Sequence, residues 1–261
     1  MSTRFLGFLP LLVTLVTTSG CVVTAAPVAD PYIPPPTYPT TTAGVATSDM
    51  LPSMSATSHE DGTTIWAALI GRGDVFLRLG AGDALTATAG GVTQTLTLDP
   101  TDANAHFTTH FAPLPDVTNV VVSLHRSGSE QSALDSVVPI PSAFTVTAPS
   151  TFATSEVMVQ VTPGVVGPFT YQASGPCVNA DIAGGTLAAF AGDDGSLGLD
   201  LSRVLTPAAT ASCALTINLM EPMTAGTWDP AFGEGDSNLE IFQGEQVRTI
   251  ATTYQPATAS K

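Results

Sequence analysis

The sequence predicts an all-β fold built as two immunoglobulin-like β-sandwiches. Three observations carry this: a composition poor in charge, short stretches that alternate apolar and polar residues, and turn signals between them. Of 261 residues, 44% are hydrophobic and only 11% charged. Threonine, alanine, valine and glycine stand where charged residues are scarce, and β-branched residues favour strands over helices, where their side-chain freedom is lost. Few segments carry the Leu/Glu/Lys/Arg mixture of an amphipathic surface helix.

Taken in chain order, the first element is an export signal. "MSTRFLGFLPLLVTLVTTSGC" has a single base, Arg4, then an apolar stretch from Phe5 to Val16, then small residues. This is the layout of a secretory signal peptide, assigned to residues 1–20. A stretch of about 12 apolar residues containing Pro10 is shorter than the roughly 20 a membrane-spanning helix needs. Thr18-Ser19-Gly20-Cys21 resembles the lipobox of bacterial lipoproteins, with threonine where leucine is usual. The resemblance implies that Cys21 is acylated and becomes the first mature residue. The chain would then be held to a membrane through its N-terminal lipid, several acyl chains anchoring durably where one binds only marginally. Val22, rather than aspartate, follows the cysteine. By the same resemblance this implies a cell-envelope location at the outer membrane, with secretion as the alternative.

Residues 21–62 form the second element, a disordered spacer. Seven prolines and many serines and threonines interrupt any apolar period, and "YIPPPTYP" favours polyproline II.

The two sandwiches follow, at 63–141 and 142–257, with a disordered tail at 258–261. In "VTQTLTL" Val92, Gln94, Leu96 and Leu98 share a side. In "NVVVSLHR" Val120, Val122 and Leu124 do; in "EVMVQVT", Val157, Val159 and Val161; in "CALTINLM", Cys213, Leu215, Ile217 and Leu219. A period of two marks half-buried strands. "GRGD", "GAGD", "AGG", "GDDGS" and "GEGDSN" punctuate them as turns. Pro139 and Pro141 place the break between the halves. Short strands with frequent turns imply sandwiches or barrels.

The cysteines sort by position. Cys177 and Cys213 lie together in the second sandwich, and an exported chain meets oxidising conditions, so they are expected to form a disulfide. Cys21 is left for lipid.

Charge excludes one class of partner. The chain has 22 acids against 7 bases, a formal −15, and its only lysine is Lys261. Nucleic-acid binding requires clustered Lys or Arg to neutralise phosphates, so none is expected. Candidate sites are few. Glu234, Asp236, Asn238 and Glu240 alternate in "GEGDSNLEIFQGE" and echo a calcium loop's oxygen ligands, although Leu239 stands where such a loop needs glycine. Trp228 and Phe232 in "GTWDPAFGEG" are candidate ligand contacts on a loop, or caps on their own core. That tail also resembles one found in exported two-sandwich lipoproteins of Gram-negative bacteria. His106 and His110 are four residues apart; on a strand this separates them by roughly 13 Å, too far to share an ion. Arg72-Gly73-Asp74 reads as a turn.

No nucleophile elbow, HExxH, phosphate loop or CxxC occurs. No cofactor and no catalytic residue are assigned. The expected function is recognition or structural assembly by a non-catalytic head with a protein or glycan partner in the envelope. The alternatives are a hydrolase or glycan-active enzyme with an accessory sandwich, and a calcium-dependent adhesin module.

Overall fold

The computed structural model describes residues 38–99, 102, 104–114, 117–162, 168–179, 187–190, 194–206, 211–221, 224–233 and 242–256. Among them the chain is all-β apart from one 3-10 turn, Thr47–Asp49. The first strands are β1 (Leu51–Ser58), β2 (Thr63–Gly71), β3 (Val75–Phe76), β4 (Ala84–Ala89), β5 (Val92–Thr95) and β6 (Thr97–Leu98). Next come β7 (Phe107–Phe111), β8 (Asn119–His125), β9 (Ala133–Pro139), β10 (Thr145–Thr147), β11 (Thr151–Phe152) and β12 (Glu156–Thr162). The last are β13 (Pro168–Ser174), β14 (Leu187–Phe190), β15 (Ser196–Asp200), β16 (Cys213–Met220), β17 (Thr224–Ala225) and β18 (Phe242–Tyr254). No helix among the described residues is long and apolar enough to cross a membrane.

One long sheet runs in the order β14-β13-β16-β18-β1-β2-β7-β6, with β11, β17 and β3 joined at its flanks. Two smaller sheets, β5-β4-β8-β9 and β10-β12-β15, cover different parts of it. The hinge of the arrangement is the 13-residue β18. Its first residues pair parallel with β1, Met54 opposite Phe242 through Ser58 opposite Gln246. Its later residues pair antiparallel with β16, Val247 opposite Met220 through Tyr254 opposite Cys213. The same strand therefore closes both halves.

Two hydrophobic cores result. Ile65, Ala67 and Leu69 of β2, Met54 and Ala56 of β1, and Phe107 and Phe111 of β7 meet Leu85 and Ala87 of β4 and Val120, Val122 and Leu124 of β8. Across the break, Phe169 and Tyr171 of β13, Leu215, Ile217 and Leu219 of β16, and Ile250 of β18 meet Val157, Val159 and Val161 of β12 and Leu197 and Leu199 of β15. The apolar faces read in "NVVVSLHR" and "EVMVQVT" are the buried ones, since the pleat sends alternate side chains to opposite sides. "VTQTLTL" differs. The stretch breaks between β5 and β6, where the Leu96 amide donates to Leu85 O at 2.9 Å. Leu96 is buried while Val92 is 54% exposed.

The spacer expected through residue 62 is corrected over 38–62. β1 lies there, paired on both edges, with Met54 and Ala56 fully buried. The division at 141 is corrected too: the first core takes β1 from before it and Ala231, Phe232 and Phe242 from after it. Parallel pairing of β1 with β18 brings these distant segments into one half. Closure needs a glycine at 244, because a Cβ there would lie 1.5 Å from Pro139 O. Residues 1–37, including the signal and Cys21, and the tail 258–261 lie outside the described residues.

Polar groups lock each half. In the first, the Arg126 guanidinium donates from Nε to Asp83 Oδ2 at 3.1 Å, from Nη1 to Thr47 Oγ1 at 2.9 Å and from Nη2 to Thr42 O at 2.8 Å. Both side chains are buried. Burial resists ionisation of Asp83, but hydrogen bonds from Thr42 and Ser127 and the Arg126 charge outweigh it, holding the carboxyl below its ordinary range. In the second, Cys177 and Cys213 form a disulfide with Cα atoms 6.2 Å apart, and Tyr171 donates its hydroxyl to Asp200 O at 2.7 Å. Between the halves, Arg248 donates to Phe144 O at 2.6 Å and to Ser58 O at 3.3 Å, its guanidinium 5.1 Å from the centre of the Phe144 ring.

Candidate functional site

The outer face of β18, β1, β2 and β7 follows from strand register. Along β1, Met54 and Ala56 point into the core, so Ser55 and Thr57 point outward; along β2, Ile65 and Ala67 point in, so Thr64 and Trp66 point out. Ser55 stands between Gln243 of β18 and Trp66 of β2, and Trp66 is opposite Thr108 of β7. One row further, Thr57 stands between Glu245 and Thr64, and Thr64 is opposite His110. Four strands thus present two parallel rows of polar side chains with a single indole among them.

These residues line a groove of about 520 Å³, bounded by Ser55, Thr57, His59, Thr64, Trp66, Gln243 and Glu245. A second depression of about 450 Å³ shares His59 and Thr64 with it and continues past Glu60, Asp61, His110 and Thr249. His59 sits in the β1–β2 turn, where its amide donates to Gly62 O at 2.8 Å. Thr57 Oγ1 donates to Glu245 Oε1 at 3.0 Å, and Thr64 Oγ1 is 3.2 Å from His110 Nδ1. Trp66 is held from one side: the His106 ring lies 4.3 Å from it at 53°, and His106 itself meets Phe76 edge-on at 5.7 Å. Asp102 contacts His106 Nδ1 and fixes the imidazole in that stack. No serine or threonine hydroxyl among the described residues is hydrogen-bonded to His106. The acid–histidine pair packs against the indole on that side.

The arrangement is suited to holding a ligand by side chains alone. β1 and β2 are interior strands with ladders on both edges, so their backbone groups are engaged and offer nothing to an incoming strand. No Lys or Arg lines either depression.

The candidates read from the sequence fall elsewhere. Phe232 is 3% exposed within the first core, and Trp228 packs on that core 5.9 Å from the Phe242 ring. Of the two readings of these residues, the structure carries the cap on their own core: the loop turns inward because Asp229 is buried as a clamp. Its carboxylate accepts the Leu134 and Asp135 amides at 2.7 and 2.9 Å and the Ala231 amide at 2.7 Å. Glu234, Asp236, Asn238 and Glu240 lie outside the described residues. Among the described residues no three His, Cys, Asp or Glu side chains converge as a metal site would require. His106 and His110 engage different residues, Trp66 and Thr64. Arg72-Gly73-Asp74 forms the β2–β3 turn, with Arg72 paired to Asp49 at 3.1 Å.

Sequence reading missed Trp66 and its neighbours. The available signal was the one tryptophan inside the apolar run "TTIWAALIG", where an indole alternates with core positions. No protein-family model matches the chain, and a search of curated proteins finds no significant relative.

Proposed function

We propose that the protein is a lipid-anchored component of the cell envelope whose two immunoglobulin-like β-sandwiches form a non-catalytic recognition head. The export signal and the lipobox-like Cys21 supply the anchor, and the outer face of β18, β1, β2 and β7 supplies the contact surface. The observation that carries the recognition reading is the groove itself: outward side chains from three strands converge on one indole and a row of hydroxyls, with no Lys or Arg among its lining residues. Net acidity keeps such a head soluble and away from anionic surfaces. The disulfide is consistent with an oxidising compartment outside the cytoplasm.

The test is complementation of a deletion strain with full-length chains carrying Trp66→Ala or Thr57→Arg. Both positions face outward, so expression and membrane fractionation should match wild type while rescue of the deletion's envelope defect is lost. Full rescue by both variants would remove the groove from the function.

A further inference from the structure

We infer that the groove on the outer face takes an uncharged glycan, stacked at one end on Trp66 and hydrogen-bonded along its length by the hydroxyl rows. This rests on the recognition reading above and names its ligand class. Three observations point there.

The first is spacing. Trp66 and Glu245 are two strands apart and offset by two residues along them, which strand geometry converts to about 12 Å between their Cα atoms. Ser55, Thr57 and Thr64, short and uncharged, fill the interval. A ligand reaching from the indole to the carboxylate must be polar along its whole length without carrying charge at each step. Two or three linked sugar rings have that character.

The second is the chemistry of the ends. An indole offers a flat apolar face to the C–H side of a sugar ring, and here the pair of His106 and Asp102 packs against it on one side. Gln243 and Glu245 lie adjacent to the rows on the far strand and offer planar donor–acceptor groups that match vicinal hydroxyls. The Glu245 carboxylate already accepts from Thr57, which fixes its orientation for a second donor from a ligand.

The third is charge complementarity. Glu245 lines the groove, Glu60 and Asp61 line its continuation, and no Lys or Arg lines either. Phosphorylated, sulfated or uronic-acid glycans are therefore repelled. A cation would meet carboxylates that are already engaged, Glu245 by the Thr57 hydroxyl and Glu60 by Arg248. Peptide capture through the main chain is closed because β1 and β2 are interior strands.

The experiment is isothermal titration of the full chain in detergent with chitohexaose, cellohexaose and maltohexaose, with polygalacturonate and a lysine-rich peptide as charged probes. At least one neutral hexasaccharide should bind with a Kd at or below about 1 mM. Trp66→Ala and Thr57→Arg should each weaken it at least about tenfold, with the thermal midpoint of the Thr57 variant unchanged and Trp66→Phe recovering part of the loss. Neutral sugars that fail to bind, or that bind both variants as well as wild type, would overturn the inference. Binding of the lysine-rich peptide alone, lost in the same variants, would also overturn it while leaving the groove as a recognition surface. Loss of Cys21 acylation with sugar binding intact would instead count only against the anchored reading.

Discussion

The two halves of the molecule share a strand yet are locked by different chemistry. The first half depends on buried ionic and hydrogen-bonded groups: Arg126 and Asp83 tie the segment before β1 to the β4 and β8 ends, and Asp229 clamps β9. The second half depends on a covalent bridge, Cys177–Cys213, and one buried phenol, Tyr171. The reason is visible in the pairing. In the first half the polar groups sit where loops cross the open ends of the sheets, and their backbone groups need partners once covered. In the second half Cys177 follows β13 and Cys213 opens β16, neighbours in the long sheet, so a short covalent link reaches between them. One half is therefore sensitive to acid and the other to reductant, although β18 runs through both.

The largest effect expected from breaking this contrast is on the ionic side. Arg126→Ala strands Asp83 in the interior, and removing one partner of a buried pair costs about 3–5 kcal/mol. Urea unfolding should show it, and Arg126→Lys, unable to fork across Asp83, Thr47 and Thr42, should recover only part. Next, replacing Cys177 and Cys213 together by serine opens a loop with a separation of 36 residues, worth about 3–4 kcal/mol on the chain-entropy model. Hydrogen exchange should then quicken in β12, β13 and β16 while β4 and β8 stay protected. Equal quickening in both halves would mean the shared strand makes them one cooperative unit.

Acid sharpens the comparison from the other side. The Asp83 carboxyl is held below the ordinary aspartate value of 3.8, so the folded state binds its proton less readily than the unfolded one. The stability it contributes is present above that ordinary value and is lost as pH falls through the lower folded one. Between pH 5 and 2, Asp83→Asn should flatten the decline in unfolding free energy relative to wild type; an unchanged slope would contradict the assignment. The smallest effect is Tyr171→Phe, which removes the bond to Asp200 O from a side chain 2% exposed. It should cost about 1 kcal/mol by thermal denaturation.

How legible this was in the sequence depends on how far apart the pairing partners lie. Val120, Val122 and Leu124, or Val157, Val159 and Val161, announce their burial by local alternation, and the structure buries each of them. The disulfide was legible because two cysteines in one half of a chain that opens on an export-like signal have few other roles. β1 was hidden because its inward residues, Met54 and Ala56, alternate with Ser55 and Thr57 beside Pro52, in a segment whose composition reads as linker. Asp83 looked like a turn residue in "GAGD", since nothing local marks Arg126 as its partner. The groove was hidden more deeply: Thr57 and Glu245 are 188 positions apart and meet only through a parallel register. Trp228 drew attention because it stands beside turn residues, whereas Trp66, inside an apolar run, is the indole on the outer face.

A membrane anchor at Cys21 is proposed to hold this head. The direct measurement is fatty-acid labelling with membrane fractionation of the wild-type chain beside Cys21→Ser in a bacterial host. An anchor at Cys21 requires labelled, membrane-bound wild type and an unlabelled mutant released from the membrane. Wild type that takes no label and fractionates as freely as the mutant would contradict it.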